Sequence, residues 1–440
     1  MINLNKTLDK EVNFMIVDFT VKNFRSFKDR ETLSAEAGER LRKYNVSNTM
    51  LISKTRILKN LLLFGPNGSG KSNMLIALKL MKQMILNDPV NVTQKLPYQP
   101  FAFSNDQGKP TLFQIDFFYE DTEYQYRFSY NAEKILSESL KIRPPRHSKF
   151  KVYFERSKSK DFVPQSLRQI LKQTKQNSLL LYNAQKNNDQ PAINVMKWFS
   201  ENLIFFDDFQ VNENMLEMVN QPDIKNAIIE FLQFADFNIE DVTVEKIAVP
   251  PMPQEFKKIL NQIGGNVQLP TTQSRLFTIH KVYDANGKVV GKRQWDLNSE
   301  SLGTQKIFLI ALALLYARKY GDNKTLIFDE FDDSLHVELS KNLVRIFNPT
   351  ENMNQIISTT HELQLLDQNL RVDQIYLFEK DFEGISTLDS IFDFDDSRNK
   401  GRTDIGYMKR YIKGKYGAYP QIELEEMREA LKGVKKEKKE

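Results

Sequence analysis

The segment of residues 65–72 reads GPNGSGKS and satisfies the pattern G-x-x-x-x-G-K-[ST]. Backbone amides of such a glycine-containing loop surround phosphate groups, and its lysine reaches the terminal phosphates. An apolar run, residues 61–64, precedes the loop, and a helical pattern follows it, which is the context this site requires. We therefore expect ATP to be bound, with Mg²⁺ held by Ser72. The residues expected to bind nucleotide here are Gly65, Pro66, Asn67, Gly68, Ser69, Gly70, Lys71, Ser72 and Asn73.

A pair of carboxylates supplies the second element of this chemistry. Residues 325–336 read TLIFDEFDDSLH, in which the apolar part is typical of a buried strand. Asp329 and Glu330 then stand at its carboxyl end, where ligands of open parallel sheets collect. We expect Asp329 to bind the magnesium ion and Glu330 to polarise the attacking water. The predicted reaction is hydrolysis of ATP to ADP and phosphate.

Two further segments offer groups that can contact phosphate. Residues 307–316 are almost wholly apolar and predict a buried helix that ends near Gly321, with Ser301 and Gly303 at its start. Such a helix start can bind an anion, although serine is also an ordinary N-cap. His361 follows another predicted buried strand, residues 355–360. The alternative for His361 is a surface histidine that opens the next helix.

The order of these motifs resembles that of ABC-type ATPases, in particular the SMC-like chromosome-maintenance and DNA-repair branch. Asn23 to Phe27, NFRSF, resembles the first turn of these proteins. The nearest likeness is to the RloA or AbiL-like group of abortive-infection ATPases, which is related to the OLD family. Its hallmarks occur here as ESLGT, IFDEFDDSLH, STTHELQLLD, DQIYLFEK and YIKGKYGAYP.

The resemblance implies an α/β fold, an ABC-type P-loop ATPase head. Such a head has a RecA-like parallel sheet, an antiparallel β lobe and an inserted helical lobe. The resemblance also implies that Ser301 and Gly303 form the signature motif, which contacts ATP bound by a second subunit. The partner is then another copy of the chain, in a homo-oligomer that is at least a dimer with composite ATP sites. His361 is implied to be the switch histidine, which senses the γ-phosphate. Leu302 and Thr304 depart from the common signature, and His336 replaces the usual aspartate of the following loop.

Three parts of the chain are predicted. Residues 15–156 form the first half of the ATPase head with the β lobe, since aromatic residues alternate along 113–117 and 124–128. Residues 157–270 form an inserted helical arm, and residues 271–440 form the second half of the head. That half includes a hairpin around Asn286-Gly287 and a basic, aromatic-rich region at 398–419. Family likeness starts at Met15, so residues 1–14 are either an extra tail or the product of an upstream start.

Composition limits the class of protein. The 440 residues contain no cysteine, which excludes disulfides and cysteine-based zinc sites and favours the reducing cytoplasm. A run of about 18 uncharged apolar residues is absent, which argues against a membrane span. The net charge of +5 permits contact with nucleic acid without demanding it.

Gln99 is either a nucleotide-sensing loop glutamine or a solvated one, and the sequence favours the solvated alternative.

For function, the resemblance implies an ATP-driven switch that serves as sensor or regulator in antiphage abortive infection. A separately encoded toxin or nuclease is then the effector. Two alternatives stay open. One is a DNA-repair or recombination ATPase that loads on DNA, and the other is a scaffold that binds ATP and barely hydrolyses it.

Overall fold

A computed structural model gives the fold of residues 14–103, 108–145, 147–159, 161–206, 213–235, 238–248, 272–321, 323–394, 406–417 and 424–432. The strands are β1 (Ile16–Lys22), β2 (Glu31–Ser34), β3 (Thr49–Ile52), β4 (Thr55–Leu58), β5 (Asn60–Phe64), β6 (Thr111–Tyr119), β7 (Thr122–Tyr130), β8 (Ile135–Arg143), β9 (Lys151–Ser157), β10 (Leu203–Phe206), β11 (Asp241–Ala248), β12 (Thr272–Tyr283), β13 (Val289–Asp296), β14 (Thr325–Phe328), β15 (Gln355–Thr360), β16 (Ile375–Lys380) and β17 (Ser386–Ser390). The α-helices are α1 (Lys71–Leu86), α2 (Arg168–Gln173), α3 (Leu180–Lys186), α4 (Gln190–Lys197), α5 (Glu213–Met218), α6 (Pro222–Phe234), α7 (Leu302–Lys319), α8 (Val337–Phe347), α9 (Tyr407–Ile412) and α10 (Leu424–Lys432).

The central sheet has the strand order β10-β14-β15-β5-β16-β17. Its neighbours are parallel except β17, which is antiparallel to β16. Every residue of β5, β14 and β15 is buried, as expected for parallel strands that are covered on both faces. Since β15 lies between β5 and β14, the chain that follows it enters the space between the phosphate loop and the acidic pair.

The antiparallel lobe has the strand order β2-β1-β6-β7-β8-β9. The aromatic alternation predicted for this region is confirmed, because Phe113, Ile115 and Phe117 of β6 are fully buried and Tyr126 and Phe128 of β7 lie beside them. Alternate side chains of a strand point to opposite faces, so these residues all enter the same core.

Two apolar cores cover the two faces of the central sheet. Along β5, Leu61 and Leu63 belong to the core shared with α1 and the antiparallel lobe. Leu62 and Phe64 belong to the core shared with α7. The period of two in a strand explains this division. The structure also confirms the predicted buried helix, since α7 ends before Gly321, whose φ of +94° suits glycine.

The segment 157–270 differs from the helical arm that was predicted. Helices α2 to α4 and α6 lie within it, but β10 joins the central sheet beside β14, and β11 pairs with β12. The apolar run of β10 is only 4 residues long, so its periodicity did not distinguish a buried strand from a helical segment. Residues 160, 207–212, 236–237 and 249–270 of this segment lie outside the described parts.

The predicted hairpin is confirmed. Strands β12 and β13 pair antiparallel around Asn286-Gly287 and form a three-stranded sheet with β11. The hairpin leads the chain directly to the start of α7. Within the described ranges, none of the helices is long and apolar enough to cross a lipid bilayer.

Candidate functional site

The phosphate loop, residues 65–72, encloses the ammonium group of its own lysine. Lys71 Nζ donates to the backbone oxygens of Gly65 and Pro66, at 2.7 and 3.0 Å. Burial lowers the pKa of Lys71 to about 8, although the nearby carboxylates Glu330 and Asp329 act in the opposite direction. A buried ammonium held by carbonyl oxygens is stabilised further by an anion, which is the role predicted for the triphosphate.

Gly70 permits the turn into α1. Its φ is +112°, and a Cβ atom built there would lie 2.5 Å from Ser386 Oγ. Both the backbone conformation and the space therefore require glycine. The resulting turn directs the N-terminus of α1 at the loop, so the free amides of the first helical turn face the place where phosphate is expected.

Ser72 and Asp329 come together as predicted. Ser72 Oγ donates to Asp329 Oδ1 at 3.2 Å. Asp329 also accepts a hydrogen bond from Thr359 Oγ1 at 2.5 Å, and Thr359 Oγ1 accepts one from the backbone N–H of Glu330 at 2.7 Å. Thr359 could not be predicted from the sequence, because no local pattern shows that β15 lies next to β14.

The paired oxygens of Ser72 and Asp329 fit the Mg²⁺ ion that a P-loop implies. Magnesium in nucleotide sites keeps several waters and takes one or two protein oxygens together with phosphate oxygens. The described residues contain no group of three or more His, Cys, Asp or Glu side chains that could hold a metal ion by themselves. A single serine hydroxyl and a single carboxylate form a suitable donor set only when a nucleotide supplies further oxygens.

His361 lies between the phosphate loop and Glu330. Its Nδ1 is 3.4 Å from Lys71 Nζ, and its Nε2 is 3.4 Å from Glu330 Oε1. The side chains of His361 and Glu330 are 39% and 50% exposed, so water reaches both. Glu330 has a φ of +47°, a left-handed conformation that is strained for a residue other than glycine. Such strain at a carboxylate beside a nucleotide loop is typical of a functional site.

The start of α7 lies against the turn that follows Glu330. Ser301 is exposed and caps α7, since its Oγ accepts from the backbone N–H of Thr304 at 3.1 Å. Gly303 is buried, and a Cβ atom there would lie 2.6 Å from the backbone oxygen of Ser334. Leu302 is 60% exposed. Gly303 is therefore packed against the loop 332–336. Ser301 and Leu302 form an outward surface at the start of the helix.

Arg25 and Gln99 line the rim of this site, and Gln99 is exposed to solvent, as the sequence favoured. Arg25 Nε donates to Gln99 Oε1 at 2.7 Å, and Arg25 NH1 donates to Asn73 Oδ1 at 3.3 Å. Both residues line a cavity of about 570 Å³ together with Asp329 and Glu330. Lys306 lines it as well, and its Nζ lies 3.4 Å from the backbone oxygen of Asp329. A glutamine in an irregular loop carries no local signal of such a position.

Structural comparison finds similar folds among SMC head domains. The SMC head bound to the C-terminal winged-helix domain of ScpA is 13% identical, with a TM-score of 0.43, and the match covers 85% of this chain and 97% of that one. The SMC head of Thermotoga maritima is 11% identical, with a TM-score of 0.38, and the match covers 85% and 98%. An SMC head with an extended coiled coil, bound to the C-terminal domain of ScpA derived from Pyrococcus furiosus, is 12% identical, with a TM-score of 0.43 and coverage of 86% and 96%.

These identities and TM-scores are low, and the assignment of the chain rests on its sequence family. No curated protein matches the sequence. The family described as "AAA domain, putative AbiEii toxin, Type IV TA system" matches residues 61–367, which is more than half of the 440 residues. The matched range contains the phosphate loop, the acidic pair and His361. The chain belongs to this AAA domain family, and its fold is that of an α/β P-loop ATPase.

Proposed function

We propose that this chain is an ATP-hydrolysing switch that works as a dimer or larger homo-oligomer and regulates a separate effector in antiphage abortive infection. The observation that carries the ATPase part is the contact series Lys71, His361 and Glu330. In this series one imidazole lies 3.4 Å from the lysine of the phosphate loop and 3.4 Å from the expected hydrolytic carboxylate. An imidazole in this position senses the charge on the terminal phosphate and the state of Glu330 together.

Each side chain has a role that follows from its position. Lys71 leaves the carbonyl oxygens of its loop and pairs with the terminal phosphates. Ser72 and Asp329 hold the magnesium ion, which neutralises phosphate charge when bound. Glu330 orients a water molecule and accepts its proton, and the exposed half of this side chain gives water access.

The dimer is proposed from the surface around the start of α7. Ser301 and Leu302 are exposed there, and the N-terminus of α7 can accept an anion. Ser301 is engaged only with its own helix in the described chain. We propose that Ser301 and Gly303 from a second copy complete the ATP site, so that ATP holds two heads together and hydrolysis releases them. A ligand with different affinity for two states shifts their populations, which is what a regulator needs.

The biological assignment has two supports. The family description contains the words toxin and Type IV TA system, and the sequence hallmarks resemble the RloA or AbiL-like abortive-infection group. We place this chain on the regulatory side, since its candidate site is built for ATP and the sequence offers no separate nuclease centre. A toxin or nuclease effector then responds to the nucleotide state.

The test uses Glu330→Gln and Ser301→Arg in the full chain. Glu330→Gln is expected to lower ATPase activity by about a hundredfold or more while ATP-dependent dimers accumulate. Ser301→Arg should retain ATP binding and lose both dimers and hydrolysis. Glu351→Gln, on an exposed turn, is the matched control. ATP turnover is measured as phosphate release, and the oligomeric state is measured as molecular mass by light scattering.

Phage protection in cells separates the alternatives. A switch loses protection with Glu330→Gln, whereas a scaffold that only binds ATP keeps it. Stimulation of the ATPase by DNA, suppressed by salt, would favour a DNA-loading machine instead. Full hydrolysis by a strictly monomeric protein would overturn the composite site.

A further inference from the structure

A second cavity lies beside the ATP site and is not used by the proposed ATPase chemistry. It has a volume of about 560 Å³ and lies between α1 and α7, next to β10. Its size is within the range of about 300–1,000 Å³ that small-molecule sites occupy. Lys79 and Gln83 of α1 line both this cavity and the one that contains Glu330. The two cavities are therefore neighbours along the same helix.

Lysine side chains give this cavity a positive wall. Lys79, Lys82 and Lys324 line it, with Glu201 as the acidic residue among its lining. The Lys82 ammonium donates to the backbone oxygen of Leu203 at 2.5 Å, and that of Lys324 donates to the backbone oxygen of Glu201 at 3.2 Å. Burial lowers the pKa of Lys82 to about 8 and also lowers that of Lys324. Partly buried ammonium groups held by neutral carbonyls gain stability when an anion binds beside them.

Two tyrosine side chains also line the cavity. Tyr316 lies in the last turn of α7 and Tyr320 is its C-cap residue, with ring centroids 4.9 Å apart and planes inclined by 43°. Tyr320 lines the cavity and is 49% exposed, so part of its ring is accessible from solvent. Flat aromatic bases stack on such rings irrespective of their identity. Asn87 and Ser200 add hydrogen-bonding groups that can contact polar edges of a base.

We propose that this cavity binds a nucleoside phosphate, with its base on Tyr316 and Tyr320 and its phosphate at Lys82 and Lys324. The cavity is bounded by α1, which begins at Lys71, and by α7, which begins after Ser301. A ligand held between these helices fixes their spacing, and the two helices carry the two halves of the proposed composite ATP site. The ligand is therefore a regulator of that site. This regulatory role rests on the proposed function, whereas binding itself does not.

The test measures binding to the full-length Lys71→Ala protein, in which nucleotide binding at the phosphate loop is impaired. The probes are AMP, ribose 5-phosphate, adenosine and a 5′-phosphorylated deoxyadenosine decamer. Isothermal titration calorimetry measures the binding of each probe. We expect saturable binding of AMP and about tenfold weaker binding of adenosine and of ribose 5-phosphate. Adding Lys82→Met or Tyr320→Ala should weaken AMP binding by about tenfold. The controls Lys54→Met and Tyr283→Ala, both at exposed positions, should leave it unchanged.

The outcomes separate the sources of the ligand. If the decamer binds more tightly than AMP and Tyr320→Ala weakens both equally, the site still binds a base and a phosphate. The natural ligand is then the 5′ end of a nucleic acid strand. The proposal is overturned by failure of every probe to saturate, by AMP binding that is unaffected by both variants, or by equal affinity for AMP and ribose 5-phosphate. Because Tyr320 is half exposed and ends α7, its substitution keeps the test valid if Lys82→Met does not fold. Because the test measures binding of the probes directly, a loss of ATPase activity alone neither supports nor contradicts this proposal.

Discussion

Thr359 Oγ1 donates a 2.5 Å hydrogen bond to Oδ1 of Asp329, the predicted magnesium ligand. The same hydroxyl accepts a 2.7 Å hydrogen bond from the backbone N–H of Glu330, the predicted hydrolytic residue. One side chain of β15 thus fixes the carboxylate of one residue and the strained backbone of the next. We infer that Thr359 is a positioning residue for both.

Thr359→Val removes the hydroxyl and nearly keeps the volume of the side chain. We expect kcat to fall by about tenfold to a hundredfold and the Mg²⁺ concentration for half-maximal activity to rise, because Asp329 loses its orienting donor. Thr359→Ser retains the hydroxyl and should restore most activity. Steady-state ATPase rates across a magnesium titration measure both effects. An unchanged magnesium dependence in Thr359→Val would refute the positioning role.

Lys71 predicts a pH dependence of ATP binding. Burial lowers its pKa from the ordinary 10.5 to about 8, and a triphosphate favours the charged form, so binding raises the pKa again. Binding then takes up a proton above pH 8. Below pH 8 this group contributes no pH dependence, whereas above it ATP affinity falls by up to about tenfold per pH unit. Titrations between about pH 7 and 9.5 measure this decline. The arginine of Lys71→Arg keeps its charge over this whole pH range, so ATP binding to this variant should not show the decline. An equally steep decline in Lys71→Arg would assign the effect to another group.

Gly303→Ala tests the packing at the start of α7. The new Cβ atom would lie 2.6 Å from the backbone oxygen of Ser334, so the helix must move away from the turn. We expect a loss of stability of about 1–3 kcal/mol and weaker ATP-dependent dimerisation. Thermal unfolding and light scattering measure the two effects. Leu302→Ala, at a position 60% exposed, should leave the melting temperature unchanged. ATP-dependent dimers of normal stability in Gly303→Ala would contradict this view of the motif.

Gln99→Ala tests whether this exposed loop glutamine contributes to the reaction. The substitution leaves Arg25 without the 2.7 Å contact that holds its guanidinium at the cavity with Glu330. We expect kcat to fall by about tenfold, while ATP affinity changes little because the phosphate loop is untouched. Gln364→Ala, at an exposed position elsewhere, is the control. A large loss of ATP affinity with normal kcat would instead make Gln99 a binding residue. ATP affinity and single-turnover rates distinguish the two results.

Much of the site could be predicted because its chemistry lies in contiguous segments. Lys71 and Ser72 occur in a single loop, and Asp329 follows a strand whose apolar residues mark it as buried. The contact of Ser72 with Asp329 then follows from the rule that the ends of parallel strands share an edge.

The site residues that could not be predicted owe their positions to contacts between distant parts of the chain, such as the order of strands in the sheet. Local sequence patterns do not reveal such contacts. Thr359 acts on Asp329 only because β15 lies between β5 and β14. Gln99 reaches the cavity because its loop passes beside Arg25, 74 positions earlier in the chain. The strand β10 was missed for the related reason that four apolar residues fit either a strand or part of a helix.

The pairing of β10 with β14 also limits how this protein can vary in length. A chain in which residue 157 was joined to residue 271 would leave β14 with an unpaired edge and would uncover Phe328, which stacks on Phe206. Open strand edges recruit strands from other molecules, so the shortened protein would tend to aggregate. Any shortening of this segment must therefore keep Leu203–Phe206 in place as the edge strand beside β14.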